Sequence, residues 1–284
     1  ATAAGLVGFA LGSETLGSIV SPASRCGVTG LRPTFGRVSR RGAMPLAWSM
    51  DKIGPICRNA EDCAVVLAAI QGPDGLDPTV RSVPWGWDGD VGAEGLRVGY
   101  LNSAFARERS AGGLDREALA SLSAMEVDLR GVELPTGLPL EALRIILDAE
   151  AAAAFDELTR GDLDDRLVGQ EEDRWPNRLR VARFVPAVEY IRANRIRTML
   201  LSAMEEAWTG LDVIVAPTFA PGLLIATNLS GHPAVVVPNG LRPDGTPGSL
   251  SFIGPPWGEA EVLRLAKAYQ ERTRHHLDRP PAFS

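Results

Sequence analysis

An apolar run, Leu6-Val7-Gly8-Phe9-Ala10-Leu11, gives way to a stretch rich in glycine and hydroxyl residues, Gly12-Ser13-Glu14-Thr15-Leu16-Gly17-Ser18-Ile19-Val20-Ser21-Pro22. That order predicts a buried strand over residues 6 to 11, a tight loop, and a short helix over residues 18 to 26 with Pro22 in its first turn, where a missing N–H costs little. Residues 1 to 5 read as the tail of a helix. Residues 27 to 58 are punctuated throughout by glycine and proline and predict a long passage of little regular structure that wraps the core. From Asn59 to Ile70 the pattern turns helical: Asn59 caps, Glu61 and Asp62 sit in the first turn, and Ala64, Val65, Leu67, Ala68 and Ile70 make an apolar stripe.

Residues 71 to 95 are a polar loop in which Trp85 and Trp87 are anchors against the body. Residues 96 to 101 then read as a strand, 114 to 125 as a helix and 131 to 135 as a second strand, an alternation that gives a βαβ unit and an α/β fold class. Two helices follow, over 139 to 159 and 177 to 208, on either side of the acidic segment Asp162 to Asp173. In the second, Glu189 faces Arg192, and Val188, Ile191, Ile196, Met199 and Leu200 recur at helical spacing. Short apolar runs at 211 to 216, 234 to 237 and 249 to 253 read as buried strands, the last two joined by a loop turning at Asp244-Gly245. A final helix spans 259 to 277.

Composition narrows the function classes. With 284 residues, 45% of them hydrophobic, the chain can bury a large core, and it reads as a single domain over 1–284 in which 81–185 is the more variable part. The net charge is −6, and the basic residues are scattered; all but Lys52 and Lys267 are arginine, so no nucleic-acid surface is predicted. No apolar run is long enough to span a bilayer. Cys26, Cys57 and Cys63 lack metal-type spacing and read as buried free thiols of a reducing, cytoplasmic compartment. No cofactor and no metal are implied, since His275 and His276 simply end a helix and His232 reads as a structural histidine at a strand entry.

The chemistry is concentrated in the first loop. Backbone N–H groups at a helix start stabilise developing negative charge, glycines at 12 and 17 permit close approach, and Ser18 presents a hydroxyl there. By spacing alone, a strand-to-helix connection with a capping serine is the better explanation of these residues. Two later segments decide between the readings: Cys26-Gly27-Val28-Thr29-Gly30-Leu31-Arg32-Pro33-Thr34 and Asp51-Lys52-Ile53-Gly54-Pro55. Together with the loop, and in this order, they resemble the amidase signature family; Asp212 to Thr218 and Asn228 to Pro238 are similar to it as well.

The resemblance implies a mixed central β-sheet flanked by helices and a carboxylic amide hydrolase working through a serine acyl-enzyme. It places Ser18 as nucleophile, the N–H groups of Thr15, Leu16, Gly17 and Ser18 as oxyanion donors, and Ser13 as a neighbouring hydroxyl. It also calls for a second serine, held by a cis peptide bond, and a lysine. Both are expected upstream of Ala1, which makes this chain the C-terminal part of a longer protein, inactive alone. Lys52 and Lys267 read as solvated, and Asp51 as a turn residue with buried hydrogen bonds. Two local departures stand out: the family's usual double glycine is Leu16-Gly17 here, where Leu16 narrows the pocket, and its usual arginine is Val20. The substrate is a small-molecule amide, with a homo-oligomer left open. The alternatives are the glutaminase subunit of a tRNA-dependent amidotransferase and a non-catalytic protein that kept the fold.

Overall fold

A computed structural model of the protein describes residues 1–107 and 113–283. In chain order the elements are β1 (Phe9–Glu14), α1 (Val20–Cys26), β2 (Thr29–Arg32), β3 (Lys52–Cys57), α2 (Ala60–Ile70), β4 (Arg97–Leu101), α3 (Asn102–Ala106), α4 (Leu114–Ser123) and β5 (Asp128–Val132). They continue with α5 (Ile145–Ala154), α6 (Asp156–Arg160), α7 (Trp175–Ala182), α8 (Ala187–Ala207), β6 (Val213–Pro217), α9 (Leu223–Ser230), β7 (Ala234–Leu241), β8 (Pro247–Ile253) and α10 (Glu259–Thr273).

The strands form one mixed sheet in the order β1-β3-β2-β7-β8-β6-β4-β5. The pairs β4/β5 and β4/β6 are parallel and the rest antiparallel, so the α/β class and the mixed sheet predicted above both hold. Central strands are apolar on both sides because both faces are covered. Val213, Val215, Val235, Val237, Leu250 and Phe252 pack on one face with α2, α4 and α10. Ile214, Ala216, Ala234 and Ile253 pack on the other with α5, α8 and α9. On that second face α1 lies over β2 and β7, burying Val20 and Ala23 against Val28 and Val236.

Local signals with a physical mechanism place their elements well. Asn59 accepts the Asp62 N–H at 2.7 Å and caps α2, Trp85 and Trp87 pack against the core, and Glu189 pairs with Arg192. Other expectations fail. The first strand runs over Phe9–Glu14, not 6 to 11, and it is the edge of the sheet with Phe9 and Leu11 exposed. Residues 27 to 58 contain β2 and β3, whose glycines and proline are tolerated because backbone approaches closely there: a Cβ on Gly54 would stand 2.0 Å from the Leu31 carbonyl oxygen.

The helix expected over 177 to 208 is two helices, α7 and α8. Pro186 lacks an N–H and disfavours helical geometry in the residue before it, so it ends one helix and opens the next. Helix α9 left no signal in the sequence, because its apolar residues are buried all round and show no amphipathic stripe. The last helix stops at Thr273, where Arg274 turns left-handed with φ 61°. Cys57 and Cys63 are buried as expected, whereas Cys26 is exposed at the end of α1.

Candidate active site

The connection from β1 to α1 spans Thr15 to Ile19 and passes through Gly17 at a φ of 103°, which glycine adopts at little cost and a residue with a Cβ does not. Helix α1 has no side-chain cap from its own N-terminal residue, Ile19. Glu14, the last residue of β1, supplies the cap instead: its Oε2 accepts the N–H groups of Ile19 at 2.8 Å and Val20 at 2.9 Å. The other oxygen, Oε1, accepts from Arg32 Nη1 at 3.0 Å and Asn228 Nδ2 at 2.9 Å. One carboxylate therefore ties together β1, the start of α1, β2 and α9.

Burial alone pushes the Glu14 carboxyl up. The charges of Arg32 and Lys52 and the Val20 N–H outweigh it and hold the group below the ordinary carboxylate range. A second carboxylate fixes the other end of the loop: Asp51 accepts the Thr15 hydroxyl at 2.5 Å and the N–H groups of Leu46 and Ala47 at 2.8 and 3.1 Å. Between these two clamps Ser18 is exposed. Among the described residues its hydroxyl meets no partner, and the N–H groups of Thr15, Leu16, Gly17 and Ser18 meet no acceptor. The loop thus presents a free hydroxyl beside unengaged donors, which is what addition to a carbonyl and charge on its oxygen require.

The other predicted residues fall into place differently. Ser13 is exposed and lines a cavity of about 420 Å³ that also touches Asp51. Leu16 is half-buried and packs against the core cluster beneath α9. Val20 is buried in the core under α1, against Ala23, Val28 and Val236, and lends no side chain to the surface around Ser18. Lys267 reaches Glu61 and the Gly89 carbonyl.

Lys52 is not solvated. It lies opposite Glu14 in the β1/β3 register, is only 2% exposed, and its Nζ has no hydrogen-bond partner. Burial, and then the positive charge of Arg32, push this amine well below the ordinary lysine range. His232 is buried: Nδ1 bonds the Ser230 hydroxyl at 2.7 Å, the ring lies 4.6 Å from Trp208, and burial lowers its pKa to about 4. Sequence reasoning missed Glu14, Arg32 and Asn228 as site residues. Glu14 left a trace, an acid just before a helix start, but its partners lie 18 and 214 positions away. Among the described residues no group of histidine, cysteine and carboxylate side chains is arranged to hold a metal.

Residues 1–223 match the sequence profile of the Amidase family. The chain belongs to the amidase family. It is 35% identical to a glutamyl-tRNA(Gln) amidotransferase subunit of Bacillus velezensis, with 99% of this chain and 67% of that protein covered. Among solved amidase structures, the native peptide amidase of Stenotrophomonas maltophilia superposes with a TM-score of 0.82 at 31% identity, covering 99% of this chain and 64% of that one. The corresponding glutamyl-tRNA(Gln) amidotransferase subunit of Thermotoga maritima gives 0.74 at 25% identity, covering 95% and 63%. The chain therefore spans about two thirds of the length of these relatives.

Proposed function

We propose that the chain carries the nucleophile-bearing part of an amide hydrolase. Ser18 Oγ adds to the amide carbonyl carbon while its proton passes to a base. The N–H groups of Thr15, Leu16, Gly17 and Ser18 then hold the oxygen that becomes negative. Collapse expels the amine, which takes a proton, and leaves an acyl ester on Ser18; water cleaves the ester to the carboxylic acid and returns the proton to the serine. Each oxyanion donor is worth about 10²–10³ in rate.

The observation that supports this reading best is the exposed, unpartnered Ser18 beside unengaged N–H groups, on a loop clamped by Glu14 and Asp51. The base is proposed to come from outside these residues. Lys267 is committed to Glu61 and Gly89, and Lys52 is sealed beneath the loop against Glu14. A second serine and a lysine on further polypeptide of the natural protein would supply it. The acidic balance and scattered arginines favour a small-molecule amide over direct contact with nucleic acid, and no described helix is long and apolar enough to cross a membrane.

Labelling with a fluorophosphonate tests the assignment in the natural full-length protein. The modified peptide should contain Ser18, and Ser18→Ala should abolish both labelling and amide hydrolysis. Persistent labelling in Ser18→Ala overturns the nucleophile; no labelling at all favours a non-catalytic member of the family.

The 35% identity to an amidotransferase component favours a second reading, a glutaminase working with partner chains. Release of ammonia from glutamine, stimulated by a co-purifying partner, distinguishes it from hydrolysis of peptide amides by the natural protein alone.

A further inference from the structure

The cavity beside the nucleophile loop has the chemistry of a recognition site. Its walls come from residues 40–45 with Trp48 and from residues 76–79, and Ser13, Asp51 and Ile53 complete the lining. Arg40 holds the two walls at a fixed spacing: its Nε donates to Asp77 Oδ2 at 3.1 Å and its Nη2 to Thr79 Oγ1 at 2.9 Å, while the guanidinium lies over the Phe35 ring. The carboxylates of this region are spent internally, Asp77 on Arg40 and Thr79, Asp51 on Thr15, Leu46 and Ala47.

What the cavity offers a ligand is different. The exposed side chains of Met44, Trp48 and Leu76 give it apolar walls, and the guanidinium of Arg41 has no partner among the described residues. A cavity that offers both an unengaged guanidinium and an indole suits a carboxylate attached to an apolar or aromatic group, since the fork pairs with the carboxylate while the ring covers the rest.

The cavity is also within reach of the reaction. Asp51 lines it and holds the Thr15 hydroxyl, and Thr15 lies three residues before Ser18, a span of roughly 11 Å at most. The step from Thr15 to Ser18 is itself spanned by a few residues of an extended peptide-like molecule.

We infer that this cavity binds the part of the substrate remote from the scissile amide, and that Arg41 and Trp48 select substrates carrying a carboxylate next to an apolar or aromatic side chain. The catalytic half of this inference rests on the hydrolase reading; the binding half does not. The test keeps them apart by using full-length protein carrying Ser18→Ala, with N-acetylphenylalanine as the probe and tryptophan fluorescence as the readout.

Saturable quenching is expected, with Arg41→Ala weakening binding about tenfold and Trp48→Phe removing the quench. N-acetylphenylalaninamide, which lacks the carboxylate, should bind about tenfold more weakly and be indifferent to Arg41→Ala. Both substituted side chains are exposed, so both variants should fold, which their unchanged melting temperatures would show. No binding by the parent protein, or equal binding by parent and both variants, overturns the inference. Binding that follows Arg41 and Trp48 in a protein whose wild-type form takes no label at Ser18 supports the site and removes only its link to hydrolysis.

Discussion

Glu14 shows how a single side chain can serve several elements: its carboxylate replaces the helix cap that Ile19 cannot provide, and it neutralises Arg32 in a strand that is buried throughout. Glu14→Gln keeps the shape and one acceptor but strands the Arg32 charge, so it should cost about 3–5 kcal/mol in denaturant unfolding. The sign of its pH dependence follows from its direction of shift. A carboxyl held below its ordinary value of 4.5 contributes stability above that value and loses it as pH falls through the folded one, so the acid limb of the stability curve should flatten in Glu14→Gln. His232 acts in a neighbouring window. With its pKa lowered from 6.5 to about 4, it stays neutral when folded, so stability is full above pH 6.5 and falls as pH drops toward 4. His232→Gln should remove up to about 3 kcal/mol of that slope, measured by unfolding at pH 7 and pH 4.

At the scale of elements, α1 is short and owes its place to what surrounds it. Seven residues are too few to be helical alone, and the helix is held by the Glu14 cap and by Val20 and Ala23 in the core. It closes on Gly27 in the left-handed conformation, which leaves Cys26 at its exposed end. Cys63 is buried in α2 with its thiol on the Thr29 carbonyl, and burial pushes that thiol well up. Reaction with a thiol reagent should therefore modify one cysteine in the native protein, at Cys26, and all three after unfolding. Peptide mapping checks both counts; native modification of Cys57 or Cys63 would contradict the packing of α2 on the sheet. Helices α7 and α8 make a related point, because the apolar spacing in α8 was legible while its burial was not. Leu200 and Met204 are inside, but Val188, Ile191 and Met199 face out.

For the whole molecule, the decisive feature is that the Ser18 loop leaves the sheet from its edge. Strand β1 pairs only with β3 among the described residues, and its free side, with Phe9 and Leu11 exposed, has unpaired backbone groups of the kind that recruit other strands. These 284 residues expressed alone should self-associate with rising concentration, and Leu11→Lys should reduce that association, as light scattering would report. A strictly monomeric 284-residue protein at high concentration would show that β1 needs no cover.

Much was legible in the sequence because it is decided within a few residues. The strand–loop–helix around Ser18, the Asn59-capped helix, the βαβ alternation and the turn at Asp244-Gly245 follow from glycine conformations, capping side chains and apolar periodicity, all local terms. Only the tertiary structure decided which charges are buried and which surfaces meet. Lys52 reads as a surface lysine until β3 is laid against β1, and Asn228 becomes a partner of Glu14 only once α9 is folded beneath the loop. The cavity at Arg41 and Trp48 draws its lining from segments bridged by Arg40 and Asp77, 37 residues apart. Desolvation and charge pairing depend on distance in space, and no spacing along the chain records that distance.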